Sequence, residues 1–321
     1  MAGLEVKRQM GQADIAAVSE LLEIAEQVDG HAPLGEHKWL DLISGGRDGF
    51  AGLVAWEPGH DHPVGYAQLE VAPGATGPRP TWSLEIVVDP HHRKTTPGIA
   101  ENLLDAALGV VRAEGGGHLH YWAPKPGPEH DRMAASAGLR RGRELRQLRR
   151  SLPLTGARLA LDVRPFRVGV DEEAWLAVNN RAFRNHDEQG GWTLDTLRQR
   201  EKQPWFDPDG LLLHERDGRL AGFCWTKIHT DADPPLGELY VVAVDPAFQG
   251  RGLGRSLTVA GLEYLHKCGL AVAMLYVDAD NQTALGLYQA LGFELDHVDR
   301  AYVGEVGNAG DNRRSDADAD E

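Results

Sequence analysis

The chain repeats itself, and that repeat limits its fold more than any other feature. Trp82-Ser-Leu-Glu-Ile-Val-Val-Asp-Pro90 returns 156 positions later as Glu238-Leu-Tyr-Val-Val-Ala-Val-Asp-Pro246. Both runs are rich in β-branched residues, which suit a strand, and both end in Val-Asp-Pro. A polar, basic, Gly-containing turn follows in each copy, at 91–98 and at 247–254. Each turn then opens a helical pattern. Ala100, Leu103, Leu104, Ala107, Leu108 and Val111 share one face at the 3.6-residue period, as do Leu253, Leu257, Ala260, Gly261, Tyr264 and Cys268. Upstream, Gly65-Tyr-Ala-Gln-Leu69 matches Gly222-Phe-Cys-Trp-Thr226. Downstream, His118–Trp122 matches Ala273–Val277, and Ala137-Gly-Leu139 matches Leu291-Gly-Phe293. A repeat of strand, turn and helix over this length predicts two similar α/β domains.

The length of 321 residues accommodates two domains of ordinary size. The expected boundaries are 1–152 for the first domain, a Pro- and Gly-punctuated linker at 153–162, and 163–307 for the second. Residues 308–321 hold no large apolar side chain, so this acidic tail is expected to stay disordered. Lys and Arg number 33 against 48 Asp and Glu, a net charge of −15, which excludes a protein built to coat DNA or an anionic membrane. The arginine-rich run 140–150 therefore reads as a solvated strand face. Cys224 and Cys268 make no disulfide framework, so a reducing compartment, the cytoplasm, is expected. Cys268 on an apolar helix face and Cys224 in a strand are both expected in the core. No apolar run has the length of a signal-peptide core or a membrane span. The chain is expected to act as a monomer on a small molecule.

Gln249-Gly-Arg-Gly-Leu-Gly254 lies between a strand and a helix. Gly252 and Gly254 allow close backbone approach, and the helix N-terminus offers unpaired N–H groups and a positive dipole end. Arg251 and Arg255 add charge that complements a pyrophosphate. The spacing is neither the dinucleotide fingerprint nor the GxxxxGK[ST] phosphate loop. His60-Asp-His62, His91-His92 and the His118/His120 pair have no metal-site spacing, so no metal is expected.

The strand ending in Val-Asp-Pro followed by Gln-x-x-Gly-x-Gly resembles the acyl-CoA signature of the GNAT superfamily of N-acetyltransferases. Asn281-Gln-Thr-Ala-Leu-Gly-Leu-Tyr-Gln-Ala-Leu-Gly-Phe293 resembles that superfamily's following helix. The resemblance implies two tandem GNAT domains, each a mixed central sheet flanked by helices. It implies an acetyl-CoA site in the second copy built from Val242, Ala243 and Val244 for pantetheine. The loop Gln249, Gly250, Arg251, Gly252, Leu253, Gly254 and Arg255 would hold the pyrophosphate. Asn281, Gln282, Thr283, Ala284, Leu285 and Gly286 complete that implied site. A closer likeness lies in Asn179–Phe183, His186–Trp192, Trp205–Gly210 and Trp225–His229, which resemble the mycothiol synthase family. That likeness implies acetyl transfer from acetyl-CoA to the cysteinyl amine of desacetylmycothiol, a cysteine joined to glucosaminyl-inositol. It points to Glu188, Lys227, Glu238 and Tyr276 as substrate contacts, with Glu36 a further candidate. Two alternatives stay open: a GNAT enzyme for another amine, such as an aminoglycoside or a protein N-terminus, and a non-catalytic CoA-binding regulator.

Acetyl transfer requires a neutral amine, a polarised carbonyl and a leaving thiolate that gains a proton. An α-amino group has a pKa of about 7.7–8.0 and is mostly charged at neutral pH. Glu238 is the expected base. Strict alternation would set it on one face with Tyr240, Val242 and Val244, and apolar neighbours would raise its pKa. Tyr288 is the expected acid toward the thiolate, and the N–H groups near Val242 the expected oxyanion donors.

The first copy departs from this pattern. Thr96 replaces the first loop glycine, although Arg93 and Gly98 remain. Trp82 stands where Glu238 stands, and Ala134 where Tyr288 stands. The first domain is therefore expected to be silent in catalysis. It could still hold acetyl-CoA through Ile86, Val87 and Val88 and the loop Lys94, Thr95, Thr96, Pro97, Gly98 and Ile99.

Overall fold

The computed structural model describes residues 3–60, 62–71, 79–154, 161–184, 189–230, 232 and 234–308. The expected disordered tail apart from Asn308, and most of the expected linker, lie outside these residues. Two compact units divide the chain, residues 1–143 with 299–321, and residues 144–298.

Unit 1 runs β1 (Gly3–Lys7), α1 (Gln12–Asp29), α2 (Glu36–Ile43), β2 (Ala51–Trp56), β3 (Gly65–Val71), β4 (Thr81–Val88), α3 (Ile99–Ala113), β5 (Gly117–Ala123) and α4 (Pro128–Ser136), then enters β6 (Arg140–Ser151). Unit 2 runs from within β6 through β7 (Arg164–Pro165), α5 (Glu172–Ala182), α6 (Leu194–Glu201), β8 (Leu211–Arg216), β9 (Arg219–His229), β10 (Leu236–Val244), α7 (Leu253–Lys267), β11 (Val272–Asp278) and α8 (Gln282–Ala290) into β12 (Glu294–Val306). The two element orders are the same, as the repeat requires.

In each unit a mixed sheet is covered on both faces. Unit 1 orders its strands β1-β2-β3-β4-β5-β12, with β4 and β5 parallel and the other neighbours antiparallel. Leu103, Leu104, Ala107, Leu108 and Val111 of α3 pack on Leu53, Leu69, Leu84 and Leu119, as the helical period predicts. Val18, Leu21 and Leu22 of α1 and Leu42 of α2 cover the other face, over Val54, Tyr66 and Val87. Unit 2 orders its strands β6-β11-β10-β9-β8-β7. Leu257, Leu262 and Leu265 of α7 pack over Cys224, Leu239 and Leu275. Trp175, Val178 and Leu197 of α5 and α6 pack over Phe223, Trp225 and Val241.

The strand that closes each sheet overturns the expected boundaries at 152 and 163. Leu145–Ser151 of β6 pairs with Val272–Asp278 of unit 2, and Arg300–Val306 of β12 pairs with Gly117–Ala123 of unit 1. Alternation identifies a strand but not the sheet it joins. Burial decides that: Leu148 is seated in the core of unit 2, and Tyr302 and Val306 in that of unit 1. Cys224 is buried as expected, but Cys268 is exposed, because it follows the last turn of α7.

Candidate active site

The site of unit 2 grows from a ladder that stops early. β10 and β11 pair in parallel only from Leu236↔Val272 to Glu238↔Met274. Beyond Glu238, β10 stays paired to β9 as far as Val244↔Gly222, while β11 stays paired to β6 as far as Asp278↔Leu145. A gap therefore opens along residues 239–244. Alternate backbone N–H and C=O groups of β10 face it without a strand partner.

A register shift between Leu239 and Val241 marks a bulge at Tyr240. It overturns the expectation that Glu238, Tyr240, Val242 and Val244 share one face. Tyr240, Val241 and Ala243 lie on the α5/α6 side, whereas Leu239, Val242 and Val244 pack on the α7 side. The extra residue consumes one step of the alternation.

Glu238 occupies the last rung of the parallel ladder and is buried. Its Oε2 lies 2.7 Å from His229 Nε2. Lys227, directly opposite on β9, places its Nζ 4.5 Å from the Trp205 ring centroid and 5.6 Å from that of Tyr240. Trp225 meets Tyr240 edge-on at 5.3 Å, and the buried Arg200 donates from Nε to Tyr240 Oη at 2.9 Å. The wall around the carboxylate is thus aromatic, with cations set into it. Burial raises the Glu238 pKa, but the hydrogen bond from His229 and the charges of His229 and Lys227 outweigh it, so the carboxyl sits below its ordinary value. That corrects the expected upward shift, which counted the apolar neighbours and missed His229. Sequence reasoning assigned His229 no role. The hairpin register sets it two positions beyond Lys227, diagonal to Glu238 on the same sheet face, a pairing that no local sequence pattern marks.

Tyr276 lies on the same sheet face as Glu238, two residues beyond its partner Met274. It is 38% exposed and accepts from Gln147 Nε2 at 2.7 Å. Tyr288 lies on the opposite, α7 side, half-buried against Phe293 at 5.7 Å. Burial, with the Cys224 thiol as a second cause, pushes its hydroxyl up to about 12. Glu238 and Tyr288 thus lie on opposite faces of the sheet. Glu188 lies outside the described residues, and Glu36 opens α2 in unit 1.

The glycine loop is held at both ends. Asp245 accepts from Ala247 N at 2.9 Å and from Arg181 at 2.5 Å. Phe248 and Leu253 are buried against Ala221. Between them Gln249, Gly250, Arg251 and Gly252 are exposed. Gly250 and Gly252 both have φ near +76°, a conformation that disfavours a Cβ. Gly252 caps α7, so the first N–H groups of that helix face outward. Leu253 offers only its backbone. Asn281 Oδ1 caps α8 by accepting from Ala284 N at 3.1 Å, and Leu285 is buried in the core, so neither of those side-chain atoms faces a ligand.

Unit 1 differs where it matters. Its parallel ladder runs on to Glu85↔Trp122, leaving only Ile86, Val87 and Val88 of β4 beyond the last rung. Trp82 is buried, and so is Ala134. Arg93 is held by Asp29 through two bonds of 2.7 and 2.6 Å, so its charge is already matched. The unit does contain a buried acid that the repeat alignment did not reveal. Glu85, raised by burial, accepts from Gly35 N at 2.7 Å.

Comparison with known proteins agrees with this geometry. Residues 174–293 match the family described as Acetyltransferase (GNAT) family. A tandem GNAT protein from the clavulanic acid biosynthesis pathway superposes with a TM-score of 0.67 at 20% identity, covering 96% of this chain and all of that one (100%). A GCN5-related N-acetyltransferase from Sphaerobacter thermophilus gives 0.62 at 20% identity, covering 95% and 96%. These likenesses establish the tandem fold. The mycothiol acetyltransferase of Thermomonospora curvata is 45% identical over 90% of this chain and 93% of its own. That of Streptomyces avermitilis is 44% identical over 91% of each, and that of Acidimicrobium ferrooxidans 42% over 89% and 92%. With identity at this level over nine-tenths of its length, the chain belongs to the mycothiol acetyltransferase family.

Proposed function

We propose that the chain transfers the acetyl group of acetyl-CoA to the cysteinyl amine of desacetylmycothiol, giving mycothiol and CoA. The observation that carries this reading is the buried Glu238–His229 pair at the mouth of the gap between β10 and β11. Acetyl-CoA lies with its pyrophosphate on the 249–255 loop and its pantetheine along Val242–Val244, so that the thioester enters the gap. The amine enters from the face that carries Glu238, Lys227 and Tyr276.

The amine nitrogen attacks the thioester carbonyl, a C–N bond forms, and the C–S bond breaks. Backbone N–H groups of β10 receive the developing oxyanion. Glu238 is ionised and poor at deprotonating a free ammonium, whose pKa of about 7.7–8.0 lies well above its own. The acceptor ammonium gives its first proton to solvent before attack; Glu238 holds the neutral amine and accepts the second proton once attack has made that nitrogen acidic. Tyr288 donates a hydrogen bond to the departing sulfur. Full transfer is uphill, since its pKa of about 12 exceeds the thiol range.

Unit 1 is silent in this reaction, as its longer β4–β5 ladder and its engaged Arg93 argue. The test is CoA release with cysteinyl-glucosaminyl-inositol against aminoglycosides and peptide N-termini. Turnover confined to the first acceptor supports the proposal, and preference for another amine overturns it.

A further inference from the structure

We propose that Glu57, His60 and His92 form a site for a divalent transition metal of the zinc class, joining the β2–β3 connection of unit 1 to the turn after β4. Short-range spacing hides this site, because its ligands come from two separate segments. Glu57 Oε2 lies 3.3 Å from His92 Nε2 and 3.6 Å from His60 Nε2. One ligand atom from each residue lies within 4.8 Å of the others. Two ligands at about 2.0–2.1 Å from a tetrahedral ion stand roughly 3.3–3.4 Å apart, so two edges of the coordination polyhedron already have near their final length.

The support behind the ligands fits the same reading. The other nitrogen of His92, Nδ1, lies 3.2 Å from Asp89 Oδ2 at ion-pair distance but without hydrogen-bond geometry, and both side chains are nearly buried. Once metal binding brings that nitrogen into a bond with Asp89, the carboxylate would fix the ring and direct its second nitrogen at the ion. Asp89 is itself fixed by His91 N at 2.8 Å. The ring of His60 meets that of His92 edge-on at 4.6 Å, and its side chain is 36% exposed, which gives an ion a way in. Two imidazoles and one carboxylate suit zinc, nickel or copper better than magnesium or calcium. A bound ion would clamp the 57–64 connection to the turn that leads into α3.

The full-length chain, stripped with a chelator, is titrated with Co2+ and back-titrated with Zn2+. The expected result is a visible absorption band that saturates at one equivalent and is displaced by Zn2+, with a rise in thermal midpoint on adding Zn2+. His60→Ala, at an exposed position that leaves the core intact, should weaken Co2+ binding at least about tenfold and abolish the Zn2+-dependent rise. Asp89→Asn should weaken it by about 10–100-fold. His118→Ala, which removes an imidazole paired with Glu305 elsewhere in unit 1, should change nothing. A chain with no saturable band, a His60→Ala variant that binds as tightly as the parent, or loss of binding in His118→Ala would each overturn the proposal.

Discussion

A carboxylate buried beside His229 and Lys227 stays ionised at neutral pH, so in the proposed reaction Glu238 would meet an incoming ammonium as an anion. Glu238→Gln should lower kcat by about 10²–10⁴-fold, the span of a lost acid–base group, while acetyl-CoA binding measured by calorimetry persists. His229→Ala removes the hydrogen bond that holds the carboxyl down, and burial is then opposed only by the charge of Lys227. The acid limb of the kcat/KM profile should move toward neutrality in that variant, and an unmoved limb would deny His229 this role. The same pair bears on stability. The folded pKa of Glu238 lies below its unfolded value, so its contribution is complete above the ordinary carboxylate range. It fades as pH falls through the depressed value. Denaturant midpoints of Glu238→Gln, followed down to about pH 3, should therefore lose part of the acid-side slope. Glu238 could be singled out as a candidate from its place before Val-Asp-Pro. Its electrostatics were not legible, because His229 reaches it across a hairpin and no local pattern joins the two.

At the scale of elements, the strand–loop–helix unit carries the architecture. Its β-branched run, glycine loop and 3.6-residue stripe were all readable; α3 buries all of the face that this period picks out except Ala100, whereas α7 buries Leu253, Leu257 and Gly261 of its face and leaves Cys268 exposed. The bulge at Tyr240 was not readable, because one inserted residue leaves no mark in composition yet reverses the side on which Val242 and Val244 fall. Close packing across the same unit is equally local. A Cβ at Gly261 would stand 2.5 Å from Cys224 Sγ and 2.6 Å from Leu239 Cδ2, so α7 lies on β9 and β10 at a glycine's distance. Gly261→Ala should destabilise unit 2 by about 1–3 kcal/mol, read as a lower denaturant midpoint. Gly252→Ala asks a Cβ to adopt φ +76°, a strain of roughly 1–2 kcal/mol at the cap of α7. It should raise KM for acetyl-CoA more than it lowers kcat.

For the whole molecule, the repeat correctly announced two folds of one kind, but the strands that complete them were assigned to the wrong copies. Residues 1–152 alone lack the 299–306 segment that covers the edge of β5, and they should be expressed as an aggregating chain without a cooperative thermal transition. Adding residues 299–306 as a separate peptide should restore part of that transition. The strand pairing also fixes an order of events at the ribosome. On its β12 side Gly117 pairs with Val306, so that edge of unit 1 waits until nearly all of unit 2 has been synthesised. Vectorial folding, in which the N-terminal part settles first, is closed to this chain at β5, whose outer edge stays uncovered until β12 is made. The contact spans most of the sequence, and the loop-closure entropy it demands predicts slow maturation of unit 1 even when unit 2 folds quickly.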